Sequence, residues 1–328
     1  MAKADPGKQP DTMFFFLQSI GHSCLVNLVR ALRYKRSDLG VYFLRTRLTD
    51  GLVGWTEEER AYFWSLVGRV AGFSGIKLLD GAVLDREVCL LVEVDPTAGG
   101  SLEDRELVRR YRQLYDDREG FLGLTAADLE SRLADGGSFR ESLRGRLLAR
   151  MHDISPFMKT LKQRFAVWYN CRHERKGTLW RDRFESSLVQ EGSRIFGYYR
   201  AFVRTASVRA GLAKAPQEYR WSTAWRKDRW WEVLSPRQVR LLAELDGCAQ
   251  QLLAAFLRPQ IGAKEIFNGR SPGFWPRWPE FFCRGGVMGE ESFVRYHTEQ
   301  WTGRQTAISL KELAEDAQLC AGRSVRRR

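Results

Sequence analysis

The residues best suited to chemistry lie in one stretch, 170–211, where a basic loop leads into a short strand and then a basic helix. Lysine and arginine attract phosphate, and an aromatic ring beside them offers a surface for base stacking. The stretch therefore predicts a nucleic-acid-binding unit. Its loop candidates are Arg172, His173, Arg175, Lys176, Trp180, Arg181 and Arg183, and its helix candidates are Arg200, Arg204 and Arg209.

The charge of the chain is concentrated around this stretch. The 328 residues carry a formal net charge of +13, and residues 141–240 hold 22 lysines and arginines against 9 acidic residues, so the rest of the chain is neutral. A surplus confined to one segment favours a polyanionic partner, with a solvated basic face as the alternative. A hydrophobic content of 44% is enough to form a buried core.

Cysteine spacing and the N-terminus indicate the compartment. The 6 cysteines are far apart, so none forms the close pairs of a zinc knuckle, and we expect reduced thiols in a cytoplasmic protein. The apolar run at 13–17 is soon interrupted by polar residues, too early for a signal peptide or a membrane span. We therefore expect no membrane association.

The apolar patterns predict an α+β fold. β-branched and aromatic runs predict strands at 40–47, 76–84, 87–94 and 184–189. Helical spacing predicts helices from the capping box Thr56/Glu59 to about residue 71, from Ser155-Pro156 onward, and from Gly192-Ser193 to Gly211. This β-α-β-β-α-β order with one more helix is that of a ferredoxin-like plait with a central antiparallel sheet.

Changes in composition divide the chain into three parts. Residues 1–36 are interpreted as a tail and a peripheral helix, and 37–215 as the main domain with a helical insertion at about 97–152. Residues 216–328 are interpreted as a basic and aromatic linker followed by a small helical C-terminal appendage.

Several motifs in order resemble a known family, the single-tyrosine HUH transposases, in its bacterial branch of REP-associated tyrosine transposases. The resemblance covers roughly residues 40–225. It implies an HUH-type plait, single-stranded or hairpin DNA as the partner, and a homodimer. The motifs are Ser155-Pro156-Phe157-Met158-Lys159, Trp168-Tyr169-Asn170, Gly177-Thr178-Leu179-Trp180-Arg181-Asp182-Arg183-Phe184, Val208-Arg209-Ala210-Gly211-Leu212 and Tyr219-Arg220-Trp221-Ser222.

Members of this family cut single-stranded DNA with a tyrosine hydroxyl and a divalent cation held by a His-x-His pair. The resemblance places those histidines at Glu87 and Cys89, and the tyrosine at Phe202. A polar residue of the metal shell falls on Ala206. We therefore expect a transposase-like pseudoenzyme that binds DNA, with no metal site and no cofactor; Mg²⁺ or Mn²⁺ is expected only if activity is retained.

Two alternatives stay open at this point. Tyr198 and Tyr199 lie about one helical turn before Phe202 and could serve as nucleophile in an active single-strand endonuclease or transposase. The chain could instead be an RNA-binding protein or an interaction scaffold, with the insertion at 97–152 or the C-terminal region as its working surface. For His173 a phosphate or base contact is favoured over acid-base catalysis.

Overall fold

A computed structural model describes residues 33–116, 118–225, 286–302, 307–314 and 319–325. Residues 1–32 of the predicted N-terminal tail and helix lie outside the described residues, as do residues 226–285 of the predicted linker and helical C-terminal region. The elements below belong to the compact unit formed by Tyr34–Arg328.

Seven strands form one mixed sheet. They are β1 (Gly40–Arg47), β2 (Lys77–Val83), β3 (Glu87–Val94), β4 (Glu185–Val189), β5 (Gly286–Glu290), β6 (Ala307–Ala314) and β7 (Leu319–Val325). Their order across the sheet is β2-β3-β1-β4-β5-β7-β6. The first four strands pair antiparallel in the order of a ferredoxin-like plait, so the predicted α+β fold is confirmed.

Eight α-helices accompany the sheet in the described part of the chain. They are α1 (Glu57–Ser74), α2 (Asp104–Tyr115), α3 (Ala126–Ala134), α4 (Gly137–Leu148), α5 (Ile154–Arg172), α6 (Arg194–Arg204), α7 (Ala206–Arg209) and α8 (Glu291–Thr302). Helices α2 to α4 follow β3 and precede α5, where the sequence predicts a helical insertion.

Local capping explains where the two long helices begin. The Thr56 side chain accepts from the backbone of Glu59, and the Glu59 carboxylate accepts from the Thr56 backbone, so the predicted capping box at α1 is confirmed. Helix α5 starts two residues earlier than predicted, because Asp153 rather than Ser155 is the cap. The Asp153 carboxylate accepts from the Ser155 backbone N–H at 2.7 Å.

The two faces of the sheet are covered by different helices. On β2, Gly81 faces the Trp64 ring of α1, whereas the preceding Asp80 binds Arg200 of α6. Helix α5 joins the α1 side, since the Phe63 and Phe165 rings pack edge to face with centroids 4.8 Å apart. Successive strand residues point to opposite faces, which is why one strand serves both layers.

The described C-terminal segments extend the sheet, whereas the apolar pattern at 241–256 that predicts the helical appendage lies outside the described residues. Strand β5 pairs parallel with β4, and the β6–β7 hairpin continues the sheet beyond β5. These pairings join residues far apart in sequence, which local patterns do not reveal. Among the residues whose structure is described, no helix has the length and apolar character needed to cross a bilayer.

The motif Tyr219-Arg220-Trp221-Ser222 closes the free edge of β2. The backbone N–H of Val83 donates to the carbonyl of Trp221 at 2.9 Å, and the Tyr219 hydroxyl donates to the Val83 carbonyl at 2.7 Å. Pairing of this kind satisfies the backbone groups of an edge strand and blocks its association with another chain.

Candidate nucleic-acid interface

The basic loop between α5 and β4 has a defined conformation. The Asn170 amide donates to the Gly177 carbonyl at 3.1 Å, and its oxygen accepts from Arg175 Nη1 at 2.9 Å. Glu174 (φ 47°) and Gly177 (φ 95°) occupy the left-handed region and turn the chain there. The Asn170 and Gly177 positions of the motif therefore shape the loop.

Trp180 anchors the loop to the core. The ring is 8% exposed, and its Nε1 donates to the Lys162 carbonyl at 3.0 Å. It packs edge to face against Trp55 and Phe63, with ring centroids 5.9 Å away in each case. The sequence predicts Trp180 as a surface for base stacking, and its burial shows that this prediction is wrong.

The loop cations lie at the surface, apart from the half-buried Arg175. Arg172 pairs with Glu58 at 2.5 Å, and Arg181 lies 3.5 Å from Asp50. The others have no carboxylate within ion-pair distance among the described residues; they are Arg175, Lys176 and Arg183. These three positive charges therefore lack a carboxylate counterion there, and the Arg175 guanidinium donates to the Asn170 and Thr178 oxygens.

His173 fastens the loop to α1. Its Nε2 lies 2.5 Å from Glu59 Oε1, and its ring packs on Tyr169 with centroids 4.2 Å apart. Glu59 is 2% exposed and also completes the α1 capping box. His173 is itself 39% exposed, so one edge still faces solvent beside the loop cations.

The first turn of α1 places three consecutive glutamates against basic residues. Glu57 lies 4.0 Å from Arg220, and the next two contact Arg172 and His173 as described above. A carboxylate and a phosphate oxygen compete for the same guanidinium donors. The Glu58–Arg172 pair must therefore separate, at least in part, when phosphate binds Arg172.

Two of the predicted helix cations hold α6 against the sheet. Asp80 is 0% exposed; Arg200 Nε and Arg204 Nε donate to its oxygens at 2.8 and 2.9 Å, and the Thr223 hydroxyl donates at 2.8 Å. Burial raises the pKa of Asp80. The positive charges of Arg204 and Arg200 lower it by a larger amount, so the pKa of Asp80 is below its ordinary value. Arg200 is 1% exposed and does not reach a surface ligand, contrary to the prediction. Arg204 is partly exposed but engaged by Asp80.

Arg209 is exposed but lies over the ring of Phe202, where the resemblance predicts the lost tyrosine. Its guanidinium carbon is 3.7 Å from the centroid of Phe202, and its Nη2 donates to the Phe202 carbonyl at 2.5 Å. The Phe202 ring is 2% exposed and packs edge to face on Phe43 of β1. Ala206 is also buried. The position of the predicted lost nucleophile is thus a packed, covered aromatic residue.

Neither alternative tyrosine lies at the surface. Tyr199 is 0% exposed, and its ring packs 5.1 Å from that of Phe43. Tyr198 is 4% exposed. A phosphodiester would have to enter the core to meet either hydroxyl, which disfavours the prediction that one of them acts as nucleophile.

A guanidinium occupies the strand ends where the resemblance places the metal histidines. Arg45 of β1 pairs with Glu87 at 2.5 Å and with Glu185 at 3.4 Å. The buried Cys89 thiol donates to Glu87 at 3.1 Å. Burial raises the pKa of Glu185, with Arg45 and Arg47 acting in the opposite direction. No group of three or more potential metal ligands of the His, Cys, Asp or Glu types occurs among the described residues.

An aromatic pair beside the loop is absent from the site residues that the sequence predicts. Tyr62 of α1 and Trp168 of α5 stack with centroids 4.0 Å apart and ring planes 15° apart, and both are partly exposed. The Arg172 guanidinium lies over Trp168 at 5.6 Å. Both rings belong to apolar helical stripes, which predict core positions, so only the packing of α1 on α5 reveals their exposed edges.

Comparisons with known proteins give a distant likeness. No family model matches the chain, and no curated protein matches it. Among solved structures, the chain is similar to a REP-associated tyrosine transposase bound to a REP hairpin. The identity is 11%, the alignment covers 60% of this chain and 81% of that chain, and the TM-score is 0.36. At that TM-score the likeness carries no weight for function.

Proposed function

We propose that this protein is a transposase-like protein that binds structured or single-stranded DNA, such as a hairpin, without cutting it. The observation that carries the proposal is the hydrogen-bonded loop after α5, which holds three cations at or near the surface without a carboxylate counterion among the described residues: Arg175, Lys176 and Arg183. Cations on one surface loop suit a sugar-phosphate chain, because each phosphate contact releases condensed counterions.

Binding without cleavage is supported by the state of the positions that would cut. Phe202 has no hydroxyl and lies under Arg209, and Glu87 is engaged by Arg45. The buried Cys89 is a soft ligand, whereas Mg²⁺ and Mn²⁺ prefer oxygen. The burial of Tyr198 and Tyr199 argues against the endonuclease alternative.

The proposal is tested by fluorescence anisotropy of a labelled DNA hairpin with a single-stranded tail, titrated at several salt concentrations. The loop carries five cations: Arg172, Arg175, Lys176, Arg181 and Arg183. If all five contact phosphates, a plot of log K against log salt concentration should have a slope of about −3.5, since each single-strand contact contributes roughly −0.7. A slope near zero, or no binding at low salt, would exclude the proposal. Tighter binding of a matched RNA hairpin would favour the RNA-binding alternative.

Removing the negative charge of Glu58 is expected to strengthen DNA binding. Changing Glu58→Gln frees Arg172 from its ion pair and removes a negative charge beside the bound strand, so DNA affinity should rise about 2- to 5-fold at low salt. The gain should shrink at high salt because the charges are exposed. The control is Glu141→Gln on α4, an equally exposed glutamate paired with Arg140, which should leave affinity unchanged. Equal gains in both variants would contradict a specific role for Glu58.

A further inference from the structure

We propose that the stacked rings of Tyr62 and Trp168 form a site for one unpaired base, which lets the protein prefer a single-stranded segment next to its loop over continuous duplex. This inference rests on the proposed DNA binding and adds a specificity element to it. The site is formed by α1 and α5, outside the positions that correspond to the family's nucleophile and metal ligands.

The rings form a preorganised stack that ends at a cation. The Tyr62 and Trp168 planes differ by 15°, and Phe165, with its ring centroid 5.6 Å from that of Trp168, supports them from the core. The Arg172 guanidinium lies over Trp168 and is 45% exposed. A flat aromatic pair fixed by helix packing loses little entropy when a base is added to it.

The surroundings of the stack suit a nucleotide. Val167, the neighbour of Trp168 on α5, is 65% exposed and gives an apolar margin. Arg172 belongs both to the stack and to the loop cations, so a base on the stack leaves its own phosphate close to positive charge. Planar guanidinium groups stack on bases as well as on aromatic rings, and a base can therefore join the stack next to Arg172 or replace it over Trp168.

The geometry favours an unpaired base over a paired one. Every base has a π-face, so stacking on aromatic residues tolerates any sequence, but the face must be free of its neighbours in the duplex. In a duplex, both faces of an internal base are covered by adjacent base pairs. A tail or a loop nucleotide has a free face and needs no energy for extrusion.

The test compares two labelled DNA hairpins with the same number of phosphates, each closed by a non-nucleotide linker so that no loop base is unpaired; one is blunt and the other has a single-stranded tail that contains 2-aminopurine. Trp168→Leu keeps an apolar side chain but has no π-face, and it should weaken binding of the tailed hairpin about 10-fold. Binding of the blunt hairpin should change less than about 2-fold, because its phosphate contacts remain. Stacking in the wild type should quench 2-aminopurine, and the quenching should be lost in Trp168→Leu and kept in Trp168→Phe.

The outcomes separate this inference from the proposed function. Equal weakening of both hairpins by Trp168→Leu, or no effect on either, would overturn the base site while leaving DNA binding in place. If the wild type binds neither hairpin, the proposed function fails and the base site with it. Phe139→Leu, which removes an exposed aromatic ring from α4 outside the stack, should leave both affinities and the quenching unchanged. Thermal unfolding of each variant establishes that the fold is retained.

Discussion

Replacing Asp80 with alanine is expected to lower the free energy of unfolding by about 3–5 kcal/mol, because the change leaves the buried Arg200 without its counterion. Asp80 also accepts from Arg204 and from the Thr223 hydroxyl. The carboxylate thus joins β2, α6 and the segment that closes the sheet edge. Because the substitution breaks all three contacts of a buried network, it should belong to the single changes that lower stability most.

Urea denaturation measures the expected loss directly. The control is Glu130→Ala on α3, which removes an exposed carboxylate that lies 3.3 Å from Arg112 and should change stability by less than about 1 kcal/mol. A loss from Asp80→Ala as small as that of the control would contradict a structural role for the Asp80 network. Asp80→Asn should fall between them, since it keeps the side-chain shape and an acceptor oxygen.

The same carboxylate predicts how stability depends on pH. The pKa of Asp80 in the folded protein is below its ordinary value of 3.8, so the folded state holds its proton less tightly than the unfolded state. The stabilisation is therefore complete above that ordinary value and is lost as pH falls through the lower folded-state pKa. Asp80→Ala should flatten this acid limb of the stability profile.

The largest effect on binding is expected from the triple change of Arg172, Arg175 and Lys176 to alanine. The affinity for a tailed DNA hairpin should fall on the order of 100-fold at low salt, because three positive charges beside the strand are lost together. The salt slope should become shallower by about 2, at roughly 0.7 for each single-strand contact removed. Anisotropy titrations of wild type and variant over the same salt series provide both quantities.

A second triple variant controls for net charge alone. Arg105, Arg109 and Arg112 lie exposed on α2 of the insertion, so changing them to alanine removes the same charge elsewhere on the molecule. Affinity and salt slope should then stay close to those of the wild type. Equal losses in the two triple variants would mean that binding reflects overall charge and has no defined interface.

Local patterns predicted much of the plait. Strands β1 and β3 have the predicted bounds, and the capping box at Thr56 starts α1 as expected. These features depend on residues close in sequence, where period, caps and turns decide the outcome. Helix α1 extends three residues past its predicted end, to a left-handed Gly75 that ordinarily marks a helix terminus.

The errors concern contacts between distant residues. Arg200 was predicted to bind DNA on the basis of its charge, but its partner is Asp80, 120 positions earlier and on the opposite side of the helix–sheet interface. Trp180 was predicted to stack on bases, but packing against α1 and α5 buries it. A charge or a ring in a sequence shows what a residue can bind, and only the fold determines whether the binding partner is internal.

The central claim, DNA binding without cleavage, is tested most directly by incubating a labelled tailed hairpin with the protein in Mg²⁺ or Mn²⁺ and separating the products on a denaturing gel. At concentrations where anisotropy shows the DNA to be bound, we expect intact DNA and no covalent protein–DNA band. A covalent band that disappears in Tyr198→Phe or Tyr199→Phe would contradict it.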